Sequence, residues 1–542
     1  MGNNTICLKN NSGKIWHNFL SGNIKGFAYD SENNFLEGEV LYEQVLYQWK
    51  QDTLTQFLNQ LDGNFALVIE QDNKLLLIVD RLRSYPLFYS VNGNSQVVVS
   101  DIGNDLIPYL KNSTELNEDA VYELLALGYL SGRDTLLRKV CSVEAGSYVV
   151  ITDDEVDVFT YASYVSLIKD TKVLSVKKQA ARILEEGFKK TVENIKGRPV
   201  LIPLSGGYDS RLIACLCKKF GLLDVTCFTY GRRDSFEVEI SKKVARQLGF
   251  EWYFVEYTFD LWQYYIESRE LKDYCLFSGN LTANPHFQDF PALAELKRLG
   301  VLRKDMVVLP GHSGDLLGGS KIPVSFLENR KMQLDRSSLS RLIYNEFYNL
   351  NVLNFKNRDK LISRIFYSIG NEKFNNSDEF LDCYETWFIK AKISNFLVNS
   401  MRGYEYWGLD WRLPLWDMNY ERLWYSIPWK EKYYSILYNE FMFEYYFEEW
   451  GVAWKKSKGA MNTGVANRLK RVLPTVLSEN LRKYIKKVRK LKSQKNVNAF
   501  DDVSRLLYEK IDPCKYSVVK SIKKDNINAV LAYVYLELIE KE

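Results

Sequence analysis

The sequence lacks paired-cysteine motifs. None of its 8 cysteines belongs to a CxxC pair, so a zinc ribbon and a thioredoxin-like redox site have no support. Cys215 and Cys217 are one residue apart in a predicted helix, where their side chains point to different faces. We interpret the cysteines as small buried hydrophobic residues in a reducing compartment.

The sequence also lacks signals for export and for membrane insertion. No basic segment followed by an apolar segment opens the chain, as a signal peptide would require. No uninterrupted apolar run approaches the length of a membrane span. The net charge of +4 is too small to indicate nucleic-acid binding by itself. We therefore expect a cytoplasmic protein that binds no nucleic acid.

The chain is long and rich in aromatic residues. Its 542 residues predict two to four domains. The hydrophobic share of 46% and the charged share of 26% are typical of a globular protein. The 36 tyrosines and 29 phenylalanines predict large packed surfaces rather than disorder.

Hydrophobic patterns divide the chain into three regions. Residues 1–165 contain short β-branched runs separated by turn residues, with one predicted helix at Asn117–Leu127. Residues 166–455 begin with an amphipathic helix over 166–196 and then alternate strands with helices. Residues 456–542 form a predicted helical C-terminal extension.

The alternation within residues 197–320 predicts a parallel sheet with helices on both faces. The predicted strands are Pro199–Leu204, Val225–Tyr230 and Met306–Leu309, and the predicted helices are Arg211–Phe220 and Phe236–Leu248. The region after residue 320 is mostly helical by the same criteria.

The most informative motif is Ser-Gly-Gly-Tyr-Asp-Ser at residues 205–210. It follows an apolar strand and precedes a helix, so its N–H groups can bind an anion at the helix N-terminus. Gly206 and Gly207 would let the backbone approach phosphates, while Ser205 and Ser210 would add hydroxyl donors. Asp209 is the only acid and would hold Mg²⁺.

This loop is not the Gly-x-x-x-x-Gly-Lys-Ser/Thr type, which needs a lysine. It resembles the pyrophosphate loop of the ATP pyrophosphatase superfamily, whose members include NAD, GMP, argininosuccinate and asparagine synthetases and tRNA-thiolating enzymes. Those enzymes cleave ATP between its α and β phosphates to make an adenylate.

Further segments resemble the asparagine synthetase family in order. Residues 61–66 and 79–89 are similar to its "L-x-G-x-F-A" and "R-D-x-x-G-x-x-P-L-Y-Y" glutaminase stretches. The loop at residues 205–210 follows. Residues 308–319 resemble "G-E-G-G-D-E-x-F-G-G", and residues 412–417 resemble the helix-end segment "R-x-P-F-L-D". The resemblance spans roughly residues 60–420.

This resemblance implies an Ntn-hydrolase-like αββα sandwich, followed by a Rossmann-like, adenine-nucleotide alpha-hydrolase-like α/β domain that uses ATP and Mg²⁺. Asp209 and Asp315 would share the Mg²⁺. Gly311 would pass close to the adenylate. Leu204 and Phe228 would pack near the adenine.

The chain departs from the family at its glutaminase nucleophile. The family has a cysteine directly after the initiator Met, whereas this sequence has Gly2. The nearest thiol is Cys7, and an internal cysteine lacks the free N-terminal amine that the mechanism uses as base. We therefore expect a degenerate glutaminase domain without glutamine hydrolysis, similar to that of β-lactam synthetase.

Four residues are candidates for catalysis. His312 stands where the family has a glutamate and could transfer protons, or it could be a packing residue. Arg211 could touch a phosphate or the substrate acid, or lie on the surface. Lys456 and Lys458 are candidates for the late lysine that neutralises the charge building up on the phosphates.

These observations predict an AMP-forming carbon–nitrogen ligase. It would activate a small-molecule, sugar or peptide carboxylate and transfer it to an amine or ammonia, which a partner could supply. A non-catalytic scaffold and a thiolating enzyme are the rival interpretations. A basic helical stretch at residues 481–495 could contact an anionic membrane or be a solvated face. The sequence allows a homodimer.

Overall fold

The structure is a computed structural model of the 542-residue chain. It describes residues 4–10, 13–92, 96–110, 114–164, 173–312, 314–328, 332–370, 373–455 and 498–541.

The described part of the front region contains eleven strands and three α-helices. The strands are β1 Thr5–Cys7, β2 Trp16–Phe19, β3 Gly22–Tyr29, β4 Phe35–Glu37, β5 Asp62–Gln71, β6 Lys74–Val79, β7 Phe88–Val91, β8 Val97–Ser100, β9 Cys141–Ser142, β10 Ser147–Ile151 and β11 Val156–Thr160. The helices are α1 Glu39–Lys50, α2 Leu54–Leu58 and α3 Glu118–Leu127.

These strands form two sheets. One has four strands in the order β1-β8-β7-β9, and the other has seven strands in the order β11-β10-β6-β5-β3-β2 with β4 beside β3. Five consecutive residues of β5 and five of β6 are buried. A strand buried on both sides needs a layer on each face, and this fits the predicted αββα sandwich.

The predicted helix of the front region is confirmed as α3, and residues at its two ends explain where it begins and stops. The Asn117 side chain accepts a hydrogen bond from the Ala120 N–H at 3.4 Å, so it caps the N-terminus of α3. Gly128 ends the helix in the left-handed conformation at φ 88°, which glycine adopts without steric cost.

The remainder of the chain is mainly helical around one parallel sheet. Its helices are α4 Val173–Ile195, α5 Tyr208–Lys219, α6 Phe236–Leu248, α7 Phe259–Glu267, α8 Arg269–Gly279, α9 Phe290–Arg298, α10 Gly314–Leu317, α11 Val324–Glu328, α12 Arg336–Phe347, α13 Phe355–Ser368, α14 Ser377–Phe388, α15 Arg402–Tyr406, α16 Met418–Ser426, α17 Trp429–Lys432, α18 Ile436–Met442, α19 Phe500–Tyr508 and α20 Ile527–Ile539. Two π-helical segments cover Ile389–Val398 and Phe443–Phe447.

The parallel sheet contains β12 Val200–Pro203, β13 Val225–Gly231, β14 Glu251–Glu256, β15 Val307–Val308 and β17 Asp410–Trp411, while β16 Val352–Leu353 and β18 Val519–Ser521 form a separate pair. The strand order is β14-β13-β12-β15-β17, and every pairing is parallel. The chain moves outward from β12 to β14 and then returns to the other side of β12. This reversal places a topological switch point between β12 and β15, where open α/β sheets bind ligands.

The sequence-based prediction was wrong in three places in and beside this sheet. It missed β14, although Trp252–Val255 is an apolar run, and it missed β17, which has only two residues. The helix after the Ser-Gly-Gly loop begins at Tyr208 rather than Arg211, since Gly207 is already extended at φ −69° and ψ 171°. Residues 412–417 follow β17 and contain the short 3-10 helix Pro414–Trp416, and Asp417 caps the start of α16.

The C-terminal helices are integral to the fold. Helix α20 packs against α3, α8 and α19. The Tyr535 hydroxyl accepts a hydrogen bond from the Leu281 N–H at 2.9 Å, and the Asn284 amide donates to the Asn528 carbonyl at 2.8 Å. Among the described residues, no helix is both long enough and apolar enough to cross a membrane.

The two domains are joined through buried charges. The Arg81 guanidinium, in the turn after β6, lies 3.2 Å from the Glu421 carboxylate on α16. Both side chains are buried, and the Arg81 guanidinium also lies 5.0 Å from the centre of the Tyr164 ring. Removing one partner would leave the other charge buried without compensation.

We therefore expect Glu421→Leu to lower the free energy of unfolding by about 3–5 kcal/mol, measured by denaturant titration. The double variant Arg81→Met/Glu421→Leu should recover much of this loss, because it removes both charges. Glu186→Leu, in the exposed Arg182–Glu186 pair, is the control and should change stability by no more than about 0.5 kcal/mol. An equal loss in the single and double variants would contradict the assignment.

Candidate functional site

The Ser205–Ser210 loop connects β12 to α5 and is ordered by its own hydroxyls. The Ser205 and Ser210 hydroxyl oxygens are 3.1 Å apart, and the Gly207 N–H donates to the Ser205 hydroxyl at 3.1 Å. Asp209 and Ser210 lie in the first turn of α5, where helical N–H groups have no intrahelical acceptor. The loop therefore presents hydroxyls and N–H groups at a helix N-terminus, as an anion site requires.

Gly311, after β15, brings a second loop against the first. A Cβ atom at Gly311 would lie 2.2 Å from the Ser210 nitrogen and 2.5 Å from the Asp209 carbonyl carbon. The two backbones are therefore in direct contact, and only glycine fits at this position.

This contact brings the backbone of Asp315 to the carboxylate of Asp209. The Asp315 N–H donates to the Asp209 carboxylate at 3.2 Å. Mg²⁺ bound with phosphate needs only one or two protein carboxylates, so the pair fits such an ion. In the part of the chain that the structure describes, no cluster of three or more His, Cys, Asp or Glu residues could form an all-protein metal site.

Tyr438 lies beside these acids and was missed by the sequence analysis. A Cβ at Gly314 would lie 2.4 Å from the Tyr438 hydroxyl and 3.2 Å from Asp209 Oδ1, and a Cβ at Gly318 would meet the Tyr438 Cβ at 2.5 Å. Burial, with the proximity of Tyr420 and Asp209, raises the pKa of Tyr438 well above its ordinary value. The spacing of the two glycines is explained by this buried ring, but no local signal pointed to residue 438.

Leu204 and Phe228 form an apolar wall at the same edge of the sheet. Both are buried, and the Leu204 N–H donates to the Phe228 carbonyl at 2.9 Å. The predicted adjacency of the two residues is confirmed. Their contact with an adenine ring stays a prediction.

Arg211 is fully buried, so the alternative that it is a surface residue is wrong. Its guanidinium donates to the carbonyls of Gly206 at 3.1 Å, Val452 at 2.9 Å and Trp454 at 2.5 Å. Burial lowers its pKa to about 10, which leaves it charged at neutral pH. Arg211 thus ties the loop to the segment at residues 452–454, and its catalytic role stays a prediction.

His312 follows Gly311 and is half-buried. Its Nε2 lies 3.0 Å from the Ser400 hydroxyl, which itself donates to the Leu397 carbonyl at 2.6 Å. Because Ser400 has only one hydrogen to donate, Nε2 carries the proton and Nδ1 holds the lone pair. Burial, together with the nearby His286, lowers the pKa of His312 to about 4, so the ring is neutral at pH 7.

Asp289 is the centre of a buried polar cluster near His312 that the sequence analysis also missed. The Tyr230 hydroxyl donates to it at 2.5 Å and the Tyr404 hydroxyl at 3.0 Å, while His286 Nε2 lies 3.7 Å away. Burial alone would raise the pKa of Asp289, but the hydrogen bonds and charge of these neighbours lower it. Tyr230 stands near the end of β13, so the cluster lies at the same edge of the sheet as the loop.

Some predicted residues lie outside the described part of the chain. These are Lys456, Lys458 and the basic stretch at residues 481–495. Lys455, the last described residue before them, is exposed.

Two protein-family models match this chain and show which family it belongs to. The model described as "Glutamine amidotransferase domain" matches residues 31–162, and the model described as "Asparagine synthase" matches residues 184–438. The chain belongs to the asparagine synthetase family. Family membership supports an ATP-dependent ligase with a glutaminase-like front domain followed by a pyrophosphate-loop domain.

Solved structures with similar parts include NH3-dependent NAD synthetase from Campylobacter jejuni, at 20% identity and a TM-score of 0.19 over 28% of this chain and 61% of that one. NMN synthetase from Francisella tularensis matches at 13% identity and a TM-score of 0.20, over 40% and 93%. Glutamine phosphoribosylpyrophosphate amidotransferase from B. subtilis matches at 10% identity and a TM-score of 0.17, over 67% and 76%. No curated protein matches the chain.

The contact at Gly311 predicts a loss of stability in Gly311→Ala. The added methyl group would displace the backbone of Asp209 and Ser210, and overpacking of this kind costs about 1–3 kcal/mol. Denaturant titration measures the loss. Gly370→Ala is the matched control, since a Cβ there meets nothing within 4 Å. Equal stabilities of the two variants would show that the loops do not pack as described.

Proposed function

We propose that this chain forms an amide bond by activating a carboxylate with ATP. The substrate carboxylate oxygen attacks the α-phosphorus, the bond to the β-phosphate breaks, and pyrophosphate leaves. An amine or ammonia then attacks the acyl carbon of the adenylate, AMP leaves, and the amine loses a proton. Holding both reactants at one site would supply much of the rate through proximity.

The observation that carries this proposal is the 3.2 Å contact between the Asp315 N–H and the Asp209 carboxylate. It joins an acid of the Ser205–Ser210 loop to an acid from a segment more than a hundred residues away, at the switch point of the sheet. A Gly-rich turn without a ligand would have no reason to gather two carboxylates beside a helix N-terminus.

Asp209 and Asp315 would hold Mg²⁺, which neutralises phosphate charge when bound. The hydroxyls of Ser205 and Ser210 and the N–H groups of Gly206 and Gly207 would hold pyrophosphate oxygens. Gly311 keeps the second loop close enough for both acids to face the same group. Arg211 would act as a positioning residue, because its guanidinium fixes the carbonyl side of the loop.

His312 is our proposed proton acceptor for the attacking amine. With a pKa of about 4 it is a weak base, but an amine becomes strongly acidic as its nitrogen bonds to the acyl carbon. The Nε2–H bond to Ser400 fixes the tautomer and leaves Nδ1 to accept the proton. Lys456 or Lys458 would neutralise the phosphate charge as the reaction proceeds.

The nitrogen is proposed to come from an amine substrate or from ammonia, not from glutamine hydrolysed in the front domain. Cys7 lies within β1, which pairs with β8, and its thiol contacts the Tyr109 hydroxyl at 3.5 Å. An internal strand residue of this kind cannot supply the free amine that the glutaminase mechanism uses. The acid could be aspartate, a uronic-acid sugar or a peptide side chain.

Two rivals remain as outcomes of the test. A scaffold would bind no Mg·ATP, although the chain keeps both acids and the loop. A thiolating enzyme would need a reactive cysteine, whereas burial raises the pKa of Cys215 and Cys275 to about 12 and also raises that of Cys217 and Cys227. Homodimerisation, membrane contact and a cytoplasmic location stay predictions.

The test is pyrophosphate release from Mg·ATP by the full-length protein across a panel of acids with and without amines. We expect release that depends on one class of acid and falls by about 100-fold or more in Asp209→Asn, because an electrostatic contact to the reacting phosphates is lost. Asp273→Asn, an exposed acid on α8, is the control and should behave like the unmodified protein.

Pyrophosphate release that does not depend on any added acid would contradict carboxylate activation. Absence of both release and Mg·ATP binding by calorimetry would overturn the enzyme proposal and favour the scaffold. Sulfur incorporation into an added acceptor would favour the thiolating enzyme.

The low pKa of His312 predicts the shape of the pH profile. The ring is deprotonated above about pH 4, so its contribution to kcat/KM should be constant from pH 6 to 8 and lost only as pH falls towards 4. His312→Gln should lower kcat across the whole neutral range. An acid limb near the ordinary pKa of about 6.5 that disappears in His312→Gln would contradict the burial of this ring.

A further inference from the structure

Arg83 has an unusual backbone conformation. It lies in the turn between β6 and β7 with φ 55°, a left-handed conformation that is costly for a residue with a long side chain. In the family pattern "R-D-x-x-G-x-x-P" aligned on Pro86, this position is a glycine. Here the chain keeps a glycine-like backbone but carries an arginine.

The Arg83 side chain is buried at the junction of the two domains. It is 2% exposed, and its NH1 donates to the Asn395 side-chain oxygen at 3.2 Å. Its guanidinium also lies 5.2 Å from the centre of the Phe88 ring. Among the described residues, its Nε and NH2 atoms are buried and have no hydrogen-bond partner.

Arg83 differs in this respect from the other buried cations of the described chain. Five of those cations lie within 4 Å of a carboxylate, in the pairs Arg81–Glu421, Arg412–Asp410, Arg402–Glu405, Lys432–Glu385 and Lys25–Asp101. The sixth, Arg211, donates to three backbone carbonyls. Only Arg83, among these described cations, has neither kind of partner. An isolated buried charge is strongly unfavourable unless it is compensated.

The charge of a second buried guanidinium, that of Arg402, acts on Arg83. Arg402, at the start of α15, is 2% exposed, and its Nε also lacks a hydrogen-bond partner among the described residues. Burial and the charge of Arg402 together lower the pKa of Arg83 to about 9. Arg83 is therefore charged at neutral pH, and among the described residues Glu405 is the carboxylate that pairs with Arg402, while none pairs with Arg83.

We propose that the guanidinium groups of Arg83 and Arg402 bind a small anion, such as a carboxylate, phosphate or chloride, between the front and synthetase domains. The unpartnered N–H donors of the two guanidiniums suit oxyanions, which arginine binds through parallel hydrogen bonds. The anion compensates the charge that the protein leaves unpaired. A buried water could accept the same hydrogen bonds but would not supply the charge.

The site would join the two domains. Arg83 belongs to the front domain, whereas Asn395 lies in the π-helical segment Ile389–Val398 and Arg402 follows it. The same stretch carries Ser400, the partner of His312. An anion at Arg83 would thus fix the segment that orients the candidate catalytic histidine.

The test is thermal unfolding of the full chain during titration with chloride, acetate or phosphate. Total ionic strength is held constant with a bulky sulfonate. A ligand that binds only the folded state raises the Tm in a saturable manner, so we expect such a rise with at least one of the three anions, and that anion identifies the ligand. The rise should be absent in Arg83→Gly, which keeps the backbone conformation and removes the guanidinium.

Asn73→Gly is the matched control, because Asn73 also has a positive φ, 57°, but lies in the exposed β5–β6 turn. It should respond to anions like the unmodified protein. If no anion gives a saturable rise, or if Arg83→Gly retains the rise in full, the proposal is overturned. Should Arg83→Gly fail to fold, a crystal of the unmodified protein grown with the anion that raised the Tm (bromide where that anion is chloride) decides the question, since the proposal requires density for that anion at the Arg83 guanidinium and its absence would refute it.

Discussion

The contact between Gly311 and the backbone of Asp209 and Ser210 determines the geometry of the candidate site. Two loops from neighbouring parallel strands meet there without an intervening side chain. This close approach puts the Asp315 N–H within hydrogen-bonding distance of Asp209 and allows the Tyr438 hydroxyl to reach the same pair of acids past Gly314. Any side chain at residue 311 would separate the loops, so the geometry of the candidate site depends on the absence of a Cβ atom at this position.

Local patterns in the sequence were sufficient for the elements that carry the phosphate loop. An apolar strand, a Gly-Gly pair and an amphipathic helix are all contiguous, so β12, the loop and α5 could be predicted within three residues. The same holds for α3, whose Asn117 and Gly128 mark its ends. The family resemblance then supplied Asp315 and Gly311, which no local pattern joins to the loop.

The residues that escaped prediction depend on contacts between distant segments. Tyr438 reaches the site from more than two hundred residues after the loop at Ser205–Ser210, and His286 and Asp289 reach it from about 80 residues after that loop. Each is an ordinary residue in its local sequence. The burial of Arg211 likewise depends on the carbonyls of Val452 and Trp454, more than two hundred residues later. The low pKa of His312 also follows from tertiary burial. Such features are set by the packed interior, not by spacing along the chain.

The position of α20 has a consequence for the order in which the molecule can fold during synthesis. This helix, at residues 527–539, packs against α3 of the front domain and α8 of the synthetase domain. Domains commonly fold as they leave the ribosome, the N-terminal one first. Here a late helix covers apolar surface on both earlier domains. A nascent chain without it would therefore expose the apolar surface of α3 and α8 that this helix covers, until residue 539 emerges.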